Sequence, residues 1–459
     1  MIKKNDTLIL EITDITNLGF GVARHEGLVV FVSGAVPGDT AKVKIIKLNK
    51  SYAIARSEEI VAPSAHRCGT NCSFTSCKSC AYKELSYSYE LSLKENTIKN
   101  AFLAEGLTNI KINGVTPSPK TSEYRNKAQY PISVTKDGEY VIGFFAPKSH
   151  RVTEAASCPL APEIFGRINE ALRAFFKKNN YSVYNEETGT GLLRHIYLRR
   201  GEISGEILLV IVINGNALPK SEELISLIRK RFPDVVGILT NENKENTNVI
   251  LGEKYSLLYG RDYITDTLCG VEFKITAPSF YQVNHDATEL LYAKARELAA
   301  LKKGNTLLDL FCGIGSIGLS MAEDAGELIG IEIVPSAVEC AKENAMIAGI
   351  SNAKFFAGDA TETESLLSYA EKELDKKILP DVIVLDPPRA GCDERLIEFV
   401  SKLSPKRIVY ISCNPTTLAR DVKRFSANGY MCEEAWGFDL FPHTGHVESV
   451  VCLTRTFDN

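Results

Sequence analysis

From about residue 300 onward the chain alternates short apolar runs with helical segments, and few folds accept that pattern. The runs are TLLDLF, ELIGIEI, AKFFAGD, DVIVLD and RIVYISC, followed by a further helix and two closing strands. Such alternation predicts a doubly wound α/β domain. Its first strand leads into Gly313-Ile-Gly315-Ser-Ile-Gly318, a GxGxxG that opens a helix. Glycines there let the backbone approach a cofactor closely, with the helix N-terminus facing it. Glu332 ends the next strand, where a carboxylate accepts both ribose hydroxyls; Asp359 ends the third in the same way. A nicotinamide dinucleotide and S-adenosylmethionine both meet these demands.

Two later strand ends carry Asp386-Pro387-Pro388-Arg389 and Ser412-Cys413-Asn414-Pro415. Ligands of open α/β sheets bind outside the carboxyl ends of the strands, so both segments are expected at the cofactor crevice. Cysteines are commonly buried fillers. The Asn-Pro turn after Cys413 is expected to hold its sulfur at the rim, which favours a nucleophile. Glu448, in His443-Thr-Gly-His446-Val-Glu448, begins the last strand and is a candidate general base.

At 459 residues the chain has room for two or three domains. Residues 1–60 alternate apolar and polar positions between turns at Asn17-Leu-Gly19, Gly34 and Pro37-Gly38, as in a small OB-like β-barrel. Residues 61–265 read as an α+β central domain, with strands YVIGFFA, GEILLVIVI, VVGILT and NVILG and a helix Ala161 to Lys178. A further helix from Leu85 to Gly106 is a candidate for packing on the catalytic domain, 266–459.

Twelve cysteines in a chain read as cytosolic are expected to be reduced. Cys68, Cys72, Cys77 and Cys80 fall within thirteen residues of loop-like sequence, which points to zinc or an iron–sulfur centre. Apolar residues at 44% and charged ones at 24% exclude a disordered chain. The net charge of −4 removes any globally basic surface, so nucleic-acid affinity would come from local patches: Lys42, Lys44, Lys47 and Lys50 on the barrel, and Arg125-Asn-Lys127. The apolar run Ile207 to Ile213 is far short of the ~20 residues that span a bilayer, and no signal peptide is expected.

SFYQVN (Ser279 to Asn284), LDLFCGIG, LDPPR, SCNPTTLARD and FPHTGHVES together resemble the RNA uracil-5-methyltransferase family, over about residues 277 to 455. The front of the chain resembles its ribosomal-RNA branch, which carries a TRAM barrel and a cysteine-ligated [4Fe–4S] cluster. The resemblance implies a Rossmann-like catalytic domain and S-adenosylmethionine contacts at Gln282, Phe311, Glu332 and Asp386, beside the glycine turn of Gly313 and Gly315. It also implies a nucleophile at Cys413, a base at Glu448 and cluster ligands at Cys77, Cys80 and Cys158. For the first cluster ligand the family's usual gap of five residues is four from Cys72 and eight from Cys68, and its Gly-Gly within CxxC is Lys78-Ser79 here; Cys72 is favoured. The expected substrate is 23S ribosomal RNA, with transfer RNA as the alternative, and the enzyme is expected to be a cytoplasmic monomer. An RNA cytosine-5-methyltransferase would place a cysteine after Pro387, where Pro388-Arg389 stands. A nicotinamide oxidoreductase leaves Cys413 and DPPR without a role, and a silent zinc-knuckle RNA binder leaves Cys413 and Glu448 without one.

Overall fold

The computed structural model describes residues 2–456 apart from 71, 75, 76, 78, 147, 148 and 360–362, and leaves aside the side chains of 363–366. Lys78 of the cysteine segment therefore lies outside the described residues.

The alternating runs of the first 60 residues fold into one six-stranded sheet. Its order is Thr7–Glu11, Thr40–Leu48, Tyr52–Ala62, Leu28–Ser33, Phe20–His25 and Asp14–Ile15. The inward positions, among them Leu10, Ile12, Val30, Val32, Val43 and Ile45, form a separate small core. A hydrogen bond from Thr13 N to Val22 O helps fold the sheet back on itself. Gly19 and Gly38 take φ of +79° and +86°, which suits the turns read at those positions.

A seven-stranded mixed sheet follows, in the order Val152–Glu154, Tyr140–Phe145, Lys127–Val134, Leu193–Arg200, Ile207–Ile213, Val235–Glu242 and Lys254–Gly260. Helices Glu163–Lys178 and Ser221–Arg231 cover it through a core that includes Phe165, Leu172, Phe176 and Leu224. The strand expected at NVILG is not one. Asn243 Nδ2 donates to Val249 O and Ile250 O at 2.7 and 3.0 Å, and Asn241 Nδ2 donates to Gly252 O at 2.8 Å. Asparagine side chains take the carbonyls that a ladder would have used, and the strand forms at Lys254–Gly260 instead.

The C-terminal sheet has the order Ala353–Ala357, Glu327–Glu332, Thr306–Leu310, Val382–Leu385, Arg407–Ser412, Glu448–Arg455, Tyr430–Phe438 and Lys111–Thr116. The first five strands are parallel, and the sixth pairs antiparallel on both sides. One element agrees with the expected alternation and one departs from the expected boundaries. Thr363–Leu374 is a helix between the third and fourth strands in sequence, a crossover that parallel strands require. Lys111–Thr116, placed by sequence within a central unit of 61–265, joins the edge of this sheet beside Tyr430–Phe438. Helix Tyr87–Ala104 accompanies it, burying Ile98 and Phe102 in the core beneath Leu308, Tyr410 and Val451. No helix among the described residues is long and apolar enough to cross a membrane.

Candidate active site

At the carboxyl edge of Thr306–Leu310 the chain turns sharply through Phe311, at φ +66°, and Gly313 and Gly315, at +55° and +84°. A left-handed conformation costs a residue with a Cβ about 1–2 kcal/mol, so Phe311 is held there by its surroundings; it packs against the core beneath the sheet. Glu332 fastens the turn: Gly313 N donates to its Oε2 at 3.0 Å and Val334 N to its Oε1 at 2.9 Å. Gly358 N donates to Glu332 O at 2.9 Å, which brings half-buried Asp359 to the same edge. Gln282 is buried in the Ser279–Asn284 segment, and its neighbour Tyr281 shares a core with Cys312 and Ile314 of the turn.

Asp309 belongs to this site and went unassigned in the sequence reading. It is fully buried, and its Oδ2 accepts from Gly318 N at 2.9 Å. A Cβ on Gly318 would lie 2.7 Å from that oxygen, so the third glycine of the GxGxxG makes room for the acid. Its Oδ1 is buried without a hydrogen-bond partner among the described residues. Burial, with Asp386 and Glu332 nearby, pushes the Asp309 carboxyl up to about 8, and burial holds Asp386 at about 7. Acids gathered in this way are relieved by a cationic ligand. That chemistry suits a sulfonium such as S-adenosylmethionine better than a pyrophosphate. The signal was present in the sequence as one acid in the middle of an apolar strand.

Cys413 and Glu448 meet through strand register. The antiparallel ladder ends at the pair Ser412–Ser449, so Cys413 follows it and Glu448 precedes it at the same end of neighbouring strands. Glu448 is near enough to raise the Cys413 thiol. Asn414 caps helix Pro415–Ala427 by accepting from Thr416 N at 3.1 Å, and Asn414 N donates to Ser412 Oγ at 3.1 Å. This local knot leaves Cys413 half-buried at the rim. Asn414 Nδ2 also donates to Arg389 O at 3.1 Å, tying the DPPR turn to the cysteine turn. Burial raises the Cys413 thiol, and Glu448 and Asp386 raise it further, while the Arg389 guanidinium opposes both. Glu448 is 4% exposed, and burial with Asp386 nearby holds its carboxyl at about 8, again against Arg389. Arg389, named by sequence only within its motif, is thus the cation of the pair.

The cysteine-rich segment opens on a different cavity of about 750 Å³, lined by Cys68, Cys72, Cys77, Cys80 and Cys158 together with Arg125, Lys127 and His446. Burial raises the Cys80 thiol to about 12, and the Cys158, Cys77 and Cys72 thiols add to that. Cys158 in turn is raised by burial and by Cys77 and Cys72. Among the described residues no three His, Cys, Asp or Glu side chains are grouped closely enough to hold a metal ion. Lys127, expected on an RNA-facing patch, is half-buried on this cavity, and desolvation with Arg199 and Arg125 lowers its ammonium to about 8. Arg125 stacks near Tyr124 and Phe441 at 5.7 and 6.0 Å.

A doubly wound sheet with an acid-lined glycine turn at its carboxyl edge defines a class of enzymes that bind an adenosine-containing cofactor there. Comparison with known proteins narrows the class. Residues 237–456 match the tRNA (Uracil-5-)-methyltransferase family and residues 3–57 match the TRAM domain. An uncharacterized RNA methyltransferase of Bacillus cereus is 38% identical over 456 residues, 99% of this chain and 98% of its own length. One from Clostridium tetani is 38% identical over 99% of this chain and 97% of its own. Among solved structures, Pyrococcus abyssi tRNA (uracil-54, C5)-methyltransferase in complex with S-adenosyl-L-homocysteine is similar at TM-score 0.76 and 27% identity, covering 97% of this chain and all of that one. The chain belongs to the RNA uracil-5-methyltransferase family. It is an S-adenosylmethionine-dependent RNA methyltransferase with an N-terminal TRAM domain.

Proposed function

We propose that the enzyme methylates carbon 5 of a uridine in 23S ribosomal RNA through a covalent adduct with Cys413. The observation that carries the adduct is the Cys413–Glu448 opposition across adjoining strand ends, beside an acid-lined turn. Carbon 5 of uracil is a poor nucleophile. Addition of the Cys413 thiolate to carbon 6 makes an enolate, and carbon 5 then carries the electron density to accept a methyl group. Gly313, Gly315, Gln282, Phe311, Glu332, Asp359 and Asp386, with Asp309 behind them, would hold S-adenosylmethionine, whose sulfonium would give up its methyl to carbon 5 and leave as S-adenosylhomocysteine. Glu448 then removes the carbon 5 proton, and the thiolate leaves as the double bond re-forms. Arg389 steadies the thiolate before addition. The target base must leave its stack to reach this rim.

Four thiols around the cysteine cavity are the chemistry that a [4Fe–4S] cluster would take as ligands. Cys72, Cys77, Cys80 and Cys158 line one cavity, and the thiols of Cys72 and Cys77 help raise those of Cys80 and Cys158. Cys72, Cys77, Cys80 and Cys158 would hold the cluster. Zinc is the other ion these thiols would accept.

The barrel lysines support an RNA substrate. Among the described residues, none of Lys42, Lys44, Lys47 and Lys50 has a carboxylate within 4 Å, which leaves that charge for phosphates. Transfer RNA is the second reading, favoured by the Pyrococcus enzyme, whose full length matches nearly all of this chain. Incubating the purified enzyme with 23S and transfer RNA transcripts and mapping 5-methyluridine by mass spectrometry tests both. Methylation confined to transfer RNA overturns the ribosomal reading, and methylation of cytosine overturns the uridine chemistry.

A further inference from the structure

The turn between strands Tyr430–Phe438 and Glu448–Arg455 carries His446 and leads into Glu448, and its own bonds are few: Phe441 N donates to Asp439 Oδ1 at 3.0 Å, Thr444 N and Oγ1 to Phe441 O at 3.1 and 2.8 Å, and His446 N to Thr444 Oγ1 at 3.3 Å. Most of its polar groups are met from the N-terminal half of the chain. Lys94, on helix Tyr87–Ala104, is 1% exposed and spends its three ammonium protons on one cluster. They go to Glu90 Oε1 at 2.6 Å, Asp439 Oδ1 at 2.7 Å and Phe441 O at 3.2 Å. Glu90 Oε1 also accepts from His443 N at 2.7 Å, and Asp439 Oδ2 accepts from Tyr87 OH at 2.9 Å. His443 holds φ at +68°, an unfavourable conformation that this bond and the one from Tyr82 N to His443 O, at 2.9 Å, maintain. Tyr124 OH donates to Pro442 O at 3.0 Å. From the barrel, Asn17 seats so tightly on Gly445 that a Cβ there would lie 2.5 Å from Asn17 O.

Two carboxylates and one ammonium, all fully buried, are a costly way to hold a loop, because desolvation opposes every member. Apolar packing would serve stability as well. What ionic bonds add is a fixed direction for each backbone group they touch.

We propose that Lys94, with Glu90 and Asp439, is a positioning set for proton abstraction: it fixes the 439–447 turn and, through it, the carboxyl of Glu448 against the carbon 5 proton. This inference rests on the assignment of Cys413 and Glu448 above. Displacing a reacting group by about 1 Å costs up to ~100-fold in rate. The loss should fall on elimination, the step that needs Glu448, and leave S-adenosylmethionine binding, thiol addition and methyl transfer in place.

The test uses the full chain with radiolabelled S-adenosylmethionine and an RNA substrate, read on denaturing gels, with cofactor affinity and melting temperature measured alongside. Lys94→Met should bind cofactor as the parent does, turn over up to ~100-fold more slowly, and accumulate a labelled, denaturation-resistant protein–RNA adduct. Tyr87→Phe removes one hydroxyl, which donates to Asp439 and accepts from Ser118 N at 2.8 Å, and should show the same adduct to a smaller extent; it decides the matter if Lys94→Met does not fold. Loss of turnover in proportion to folded protein, with no adduct, overturns the inference, and so does turnover at the parent rate. Glu448→Gln run in parallel separates the layers. If it traps the adduct and the Lys94 and Tyr87 variants do not, only the positioning role fails; if it turns over normally, the base assignment fails and takes the positioning role with it.

Discussion

Cys413 reaches its partner through a hydrogen-bonded ladder, whereas Cys72, Cys77, Cys80 and Cys158 reach theirs across loops far apart in sequence. In the first site, the pairing of Ser412 with Ser449 brings a thiol and a carboxyl to the same end of neighbouring strands. Slipping that register by one residue would turn every buried side chain of Glu448–Arg455 to the wrong face, so the whole core guards the pair. In the second, the thiols share a cavity but no ladder, and no three are grouped at metal-holding distance among the described residues. A site set by register stands complete from the chain's own bonds. A site made from loop thiols draws its final geometry from whatever it holds.

Several changes would break or sharpen that contrast. Cys413→Ala should abolish both methylation and adduct formation, since no other group can add to carbon 6; residual methylation would show that the ladder pair is not the reacting pair. Glu448→Gln should slow turnover by ~100- to 10,000-fold and trap the RNA on Cys413. The gel that shows a trapped band distinguishes it from the alanine variant. Acidity should act on the ladder site with a definite sign. Because the Glu448 carboxyl is held at about 8 and the Cys413 thiol is also raised, both reactive forms grow as pH rises. Turnover should therefore climb with pH below pH 8, by about tenfold per unit where one of the two groups limits the rate. A flat profile from pH 6 to 8 would show that neither group limits the rate.

At the loop site, Cys80→Ser should lose iron and sulfide from anaerobically purified protein and lower the melting temperature, while S-adenosylmethionine affinity at the ladder site stays unchanged. Stoichiometric zinc without iron in the parent protein would replace the cluster by a zinc site. The smallest effect is expected on the barrel. Lys47→Glu should weaken RNA binding across sequences and reduce its salt slope by about 1, measured by filter binding at several salt concentrations.

Linkage adds a consequence for stability. A buried carboxyl such as Glu448, raised from 4.5 to about 8, binds its proton more tightly folded than unfolded. Its contribution to stability is present in acid and lost as pH rises through that window. The protonation state that favours folding is the opposite of the one that favours proton abstraction, so the enzyme stores part of its reactivity as strain.

The glycine turn, Glu332, the two strand-end motifs and the acid before the last strand were legible because each depends on residues adjacent in sequence or on strand periodicity. So were the small barrel and the doubly wound sheet, since alternation with a period of two or 3.6 residues is a local property. NVILG read as a strand for the same reason and was wrong, because Asn241 and Asn243 satisfy its carbonyls from elsewhere. Asp309 was visible as an acid in an apolar strand, but its burial beneath Gly318 was not. The opposition of Cys413 and Glu448 depends on which strands are neighbours, and the strand Lys111–Thr116 adds itself to a sheet whose other members begin nearly two hundred residues later. Buried charge was equally beyond reach: Glu90 and Lys94 have the spacing of an exposed helical pair, and only the arrival of Asp439 from the far end of the chain makes them a closed cluster. Local patterning determines which elements form and which chemistry each can carry. Long-range packing decides which of those groups meet, because desolvation and hydrogen-bond geometry act only on neighbours in space.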